Sequence, residues 1–131
     1  MNVAVVVRSN DFDRISRRTP RVVHELVEVT CRRIEAIVKV GMAEQKSGVV
    51  YGSHQASAPG EMPAIDTGNL ANSVQVEFET ETVAIVFTNA DYAANLEYGT
   101  MRMAPRPFFV PAAEEVRPQF EADARRIGES L

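Results

Sequence analysis

One tripeptide in this chain carries catalysis in other settings: Asp66-Thr67-Gly68, within the run APGEMPAIDTGNLANS at residues 58–73. An Asp-Thr-Gly loop supplies one carboxylate of the aspartic-protease site, in which two carboxylates share a proton. A chain of 131 residues has the size of a protomer that completes such a site by dimerising. The flanks do not fit that chemistry. The loop needs an apolar strand ahead of it, whereas PGEMPAI puts two prolines and a glycine into seven residues, which a central strand does not tolerate. The residues that follow, NLANSV, are helix-compatible, and no later apolar-apolar-Gly segment braces the loop. A structural role accounts for the same residues. Asp66 or Thr67 caps a short helix over TGNLANS by accepting a backbone N–H bond, Gly68 and Asn69 permit the turn, and Leu70 docks the helix.

The other chemistry-bearing residues do not assemble into a known pattern. His24 and His54 are the two histidines, the first in a helical stretch and the second in a polar loop. No HExxH or CxxC spacing exists. His54, Glu61 and Asp66 can be drawn together as a metal cluster, but a polar loop produces such groupings by chance. Glu77, Glu79 and Glu81 alternate along a strand and share its solvent face. Cys31, the single cysteine, excludes an intrachain disulfide and reads as core filler. There is no Gly-rich phosphate loop and no G-x-S-x-G elbow. Arg14, Arg17, Arg18 and Arg21 form a basic patch with no interleaved aromatic beyond Phe12. That patch reads as a solvated or inter-subunit face, with a small nucleic-acid-binding adaptor as the alternative. The reading is therefore of no catalytic, cofactor-binding or metal-binding residue.

The elements that hold these residues follow from periodicity. A Val-rich strand is predicted near 2–8, and Ser9, Asn10 or Asp11 can cap a short helix that breaks near Pro20. Thr19 then caps a long helix, about 20–45, with Pro20 in its first turn. Val23, Leu26, Val27, Ile34, Ile37, Val38 and Met42 give that helix one apolar face. Glu25, Glu28, Arg32, Glu35 and Lys39 form the opposite stripe. A strand at 48–52 precedes a Pro/Gly-rich loop, about 53–66, expected to project from the core. Strands at 74–79 and 82–88 form a hairpin turning near Glu79–Glu81. DYAANLEYGT opens on a capping Asp91 and stops at Gly99, MRMAPRPFFVP is extended, and a last helix, about 111–129, carries the stripe Ala112, Val116, Phe120, Ala124 and Ile127. The sum is one α+β domain over 1–131, a small, mostly antiparallel sheet packed by two helices.

The bulk composition is that of a globular protein, 45% hydrophobic and 24% charged, with no apolar run long enough for a membrane span. The start MNVAVVVRS lacks the basic segment of a signal peptide, and one cysteine suits a reducing cytoplasm. A net charge of −4 gives no general attraction to nucleic acid. That charge is uneven: residues 1–50 carry nine Lys/Arg against six Asp/Glu, and residues 51–131 carry five against twelve. Such asymmetry suits a subunit whose two ends meet different neighbours.

Three segments in order, ASAPGEMPAIDTGNLANSV, DYAANLEYGT and MAPRPFFVPA, resemble a known family. They are similar to the neck or tail-completion (minor tail) proteins of long-tailed bacteriophages, the group that includes tail protein Z of lambda. Members show a Pro-Gly-x-x-Pro-Ala loop leading into Thr-Gly-x-Leu-x-x-Ser. Tyr-Ala-x-x-Leu/Val-Glu-x-Gly-Thr follows, and then Arg-Pro-Phe-x-x-Pro-Ala. The resemblance spans about 56–112, and the flanking helices fit it. It implies a non-enzymatic virion protein of the head–tail junction, assembled in the host cytoplasm and needing no cofactor or membrane. It further implies a ring, hexameric, that meets tail terminator, head–tail connector and tail tube proteins. DNA would pass through its channel without sequence-specific contact, past an acidic lumen. In that role Pro59, Gly60, Pro63, Tyr92, Tyr98, Arg106, Phe108 and Phe109 are assigned to the assembly interface, since stiff segments and aromatic anchors suit docking. The same aromatics, with Leu96, could instead close the monomer core. Glu97 and Arg106 are expected to pair, and Asp66, Thr67, Gly68 and Gly99 to act as caps and turns.

Overall fold

The computed structural model describes residues 3–7, 13–44, 46–52, 54–64 and 69–131. The proposed caps Ser9, Asn10, Asp11, Asp66, Thr67 and Gly68 lie outside the described residues. The element order is β1 (Val3–Val7), α1 (Asp13–Arg18), α2 (Pro20–Ala43), β2 (Val50–Tyr51), β3 (His54–Gln55), α3 (Asn69–Ser73), β4 (Gln75–Thr80), β5 (Val83–Thr88), α4 (Ala93–Tyr98) and α5 (Phe109–Glu129). The α+β class and each longer element agree with the periodicity in the sequence.

The main sheet is antiparallel in the order β1-β5-β4. Its register places Val5, Val86 and Val76 in one row and Val7, Ala84 and Phe78 in the next, so the inner face is apolar by simple alternation. The helices α2 and α5 pack against each other and over this face. The inward stripe of α2, Val23, Val27, Cys31, Ile34, Val38 and Met42, is buried, as are Ala112, Val116 and Ala124 of α5. Leu26 and Ile37 are only half-buried. Phe120 and Ile127 pack at the edge of the core. The central strand β5 is buried on both faces, Ile85 and Phe87 included, which is why VAIVFT reads as a continuous apolar run rather than an alternating one.

Local chemistry departs from expectation at several element ends. Thr19 occupies the N-cap position of α2 but makes no capping bond; its hydroxyl donates back to the Ile15 carbonyl, 3.0 Å. The α1 chain end competes for the same hydroxyl and wins. The helix α4 runs from Ala93, with Tyr92 rather than Asp91 at its N-cap position. The predicted strand at 48–52 reduces to Val50–Tyr51, paired with His54–Gln55 in a separate two-stranded sheet. The helix α5 starts at Phe109, two residues before the expected Pro111, and holds Pro118 on its exposed side. There water can take up the carbonyl bond that proline forfeits. No helix among the described residues is long and apolar enough to cross a membrane.

Candidate functional site

The segments DYAANLEYGT and MAPRPFFVPA meet at one carboxylate. The helix α4 ends at Gly99, whose φ of 76° belongs to glycine. A side chain there would press within 2.9 Å of the Met103 carbonyl and the Pro105 ring. The chain then reverses tightly, with the Thr100 N–H donating to the Met103 carbonyl at 2.8 Å. It runs back along α4, where the Arg106 N–H donates to the Leu96 carbonyl at 2.6 Å. This return places the start of α5 directly against Glu97.

The first turn of a helix leaves its N–H groups without intrahelical partners. In α5 the N-cap residue is Phe108, which has no side-chain acceptor. Pro107 and Pro111 have no N–H at all, so three donors fall between them, those of Phe108, Phe109 and Val110. All three donate to Glu97: Phe108 and Phe109 to Oε1 at 3.3 and 2.8 Å, and Val110 to Oε2 at 3.3 Å. Glu97 is only 3% exposed. A buried charge is costly unless its lone pairs are satisfied, and here the helix supplies both donors and the positive end of its dipole. The expected Glu97–Arg106 ion pair does not form. Each finds a better partner: the Arg106 guanidinium donates from Nε to the Ser57 carbonyl and from Nη1 to the Ala104 carbonyl, both at 3.1 Å.

The first segment is tied to the same place. The Gly60 N–H donates to the Pro105 carbonyl at 2.9 Å. Pro59 followed by Gly60 at φ 87° supplies the residues a type II turn requires, closed by the Glu61 N–H on the Ala58 carbonyl. The Glu61 carboxylate accepts from the Ala58 N–H at 2.6 Å and from the Ser47 N–H and hydroxyl at 3.1 Å each. Those bonds, led by the Ala58 N–H, hold its carboxyl below the usual carboxylate range. Exposed in this region are the turn tip, Pro59 and Gly60, together with Val49, Val50 and Tyr51 of the small hairpin. Pro63 is buried.

The aromatics divide between core and surface. Phe108 and Phe109 are 0% and 1% exposed, with ring centroids 4.7 Å apart, so they close the core and do not face outward as expected. Tyr92 and Tyr98 are exposed, Tyr98 to 67%, and Met101 beyond them is fully so. Arg106 is half-buried and spent on carbonyls.

Among the described residues, His24 and Cys31 are each taken up in packing. His24 stacks on Phe78, ring centroids 4.1 Å apart, and its Nδ1–H donates to the Glu81 carbonyl. Cys31 is buried, and burial pushes its thiol up to about 12, far from the thiolate a nucleophile needs. Among the described residues no group of three His, Cys, Asp or Glu could hold a metal ion. Glu77, Glu79 and Glu81 are solvated, as are Arg17, Arg18 and Arg21. Sequence reasoning missed the role of Glu97. A signal was present: two prolines four apart at the start of a helix with an apolar N-cap require an acceptor from elsewhere in the chain.

No curated protein and no solved structure matches the chain. A family model does, described as "Bacteriophage HK97-gp10, putative tail-component", over residues 13–99. That range runs from the start of α1 to Gly99 and so includes the Pro-Gly loop and Glu97. The match covers well over half of the sequence, and the chain belongs to the HK97-gp10-like family of phage tail components.

Proposed function

We propose that this tail component works at the head–tail junction, as a ring, hexameric, that helps join a completed tail to a filled head around the DNA channel. The observation that carries the reading is the division of labour among its motif residues. The groups able to do chemistry, Glu97, Glu61 and Arg106, are consumed in holding backbone, while large apolar side chains, Tyr92, Tyr98 and Met101 among them, face solvent. A protein built that way offers rigid contact surface rather than a reaction centre. Tyr92, Tyr98, Pro59 and Gly60 are the residues assigned to docking, with terminator, connector and tail tube proteins as partners and the virion as the location. The charge excess after residue 50 supports assigning an acidic wall to the DNA channel.

Deleting the gene in its phage or prophage and imaging the lysate tests this. Separate filled heads and complete tails are expected; normal joined particles would overturn it. Tight, steeply salt-dependent DNA binding by the purified protein would instead favour an adaptor acting through Arg17, Arg18 and Arg21.

A further inference from the structure

Charge separates along the long axis of this fold. The helix α2 has 24 residues and is therefore about 36 Å long. The helix α5 lies antiparallel to it: near its start Glu115 borders a groove with Val40 and Gly41, and near its end Gly128 meets Ile15 of α1. Arg17, Arg18, Arg21 and Arg125 are exposed at the first end, and Glu44, Glu114 and Glu115 at the second. Among the described residues none of these has an ion-pair partner. Arg21 and Glu44 also stand against the dipole of α2, one in a first turn without acidic residues and the other at the C-cap. A helix with only itself to satisfy favours the reverse. On the outer side of α2, Val22, Val29 and Val40 are exposed at intervals of seven and eleven residues, close to whole turns. Val22 follows Arg21 at the basic end. Val40 lies at the acidic end, in the groove of about 500 Å³ that Glu115 borders. There Met62 takes the space a side chain at Gly41 would need. Met62, Ala36 and Val40 make an apolar floor, with Glu44, Glu61 and Glu115 on the rim. The lysine of the groove, Lys46, is buried and donates to the Gly41 carbonyl.

We propose that this groove seats the Arg18–Val22 segment of a second copy, so that copies join head to tail. No side chain spans the length of α2, so the two ends cannot meet within one chain. Between copies they match in both respects: Val22 covers the apolar floor, and Arg18 and Arg21 reach Glu44 and Glu115 on the rim. A two-fold pairing of the same ends would lay α2 antiparallel on itself and bring Arg32 and Arg33 of both copies together at the axis. A head-to-tail contact avoids that clash, leaves each copy with one free end of each kind, and closes into a ring when its rotation allows. The proposal rests on the ring reading and names the contact between its subunits. It uses none of the tyrosines on α4.

Sedimentation of the purified full chain at micromolar concentration and low salt tests the docking. The wild type should form assemblies larger than a dimer. Val22→Glu and Val40→Glu, each a change at an exposed position, should be monomers with unchanged helicity. Mixed one to one, these two variants should form a dimer and nothing larger, because one keeps an intact groove and the other an intact segment. Arg18→Glu with Arg21→Glu should abolish association, and adding Glu44→Arg and Glu115→Arg in the same chain should restore it. A wild type that stays monomeric or stops at a dimer overturns the proposal. So does a mixture that stays monomeric, or a charge reversal that is not rescued. Open chains of copies support the docking and count against the closed ring alone. Normal joined particles after gene deletion count against the junction role and leave the docking standing.

Discussion

The α4–α5 junction and the outer face of α2 use their residues in opposite ways. At the junction the polar groups are engaged within the chain: three N–H groups converge on Glu97, and Arg106 spans two carbonyls. On the outer face of α2, Val22, Val29 and Val40 are 43%, 57% and 61% exposed. The Glu97 cluster resolves its hydrogen bonds within one copy, so its free energy goes into folding. The second leaves its largest favourable term, removal of apolar surface from water, to be collected on contact with something else. The charged and buried aromatic residues of the motif, Glu97, Arg106, Phe108 and Phe109, therefore turn out architectural, while Tyr92 and Tyr98 beside them stay exposed.

The largest effect expected from breaking this contrast is at Glu97. Glu97→Ala leaves two buried N–H groups and one part-buried one without an acceptor, at a cost of about 3 kcal/mol, which lowers the melting temperature by roughly 10 °C in a chain of this size. Glu97→Gln keeps one acceptor oxygen and should lose about half as much. Calorimetry checks both, and near-wild-type stability of Glu97→Ala would remove the junction's claim to a folding role. Next comes Gly99→Ala, which forces a side chain into a positive-φ site against the Met103 carbonyl and Pro105. About 2 kcal/mol is expected, read from the shift in denaturant midpoint.

Glu61 gives a smaller, pH-dependent signal. Its folded-state carboxyl is depressed by N–H donors, so its contribution is present above the ordinary value of 4.5 and is lost as pH falls through the lower folded value. Amide exchange at Ala58 and Ser47 should accelerate over that acidic window, and Glu61→Gln should make it insensitive to pH there. Exchange that slows with acidification, beyond the intrinsic pH effect, would contradict the assignment.

How far the sequence foretold this molecule depends on the range of each interaction. The inner face of α2, the β4–β5 hairpin and the α5 stripe are written in periodicities of two and 3.6, which any neighbouring layer must obey. The ends of elements were less legible because their bonding groups have competing partners. Thr19 turns back to Ile15, and Glu97 ignores Arg106 for a helix start that reaches it only after the chain reverses at Gly99. The burial of Phe108 and Phe109 follows from that same return and from nothing within three residues of them. The apolar spacing behind α2 was visible throughout but hidden by the charged stripe read as its opposite face.

The most direct measurement is particle assembly with a chain whose folding is intact but whose exposed tyrosines are gone. A Tyr92→Ser, Tyr98→Ser double variant should melt within about 1 °C per residue changed of the wild type, since exposed positions contribute little to stability. Cells supplying only this variant should yield separate heads and tails in the electron microscope. Joined, infectious particles at the wild-type titre would contradict the account.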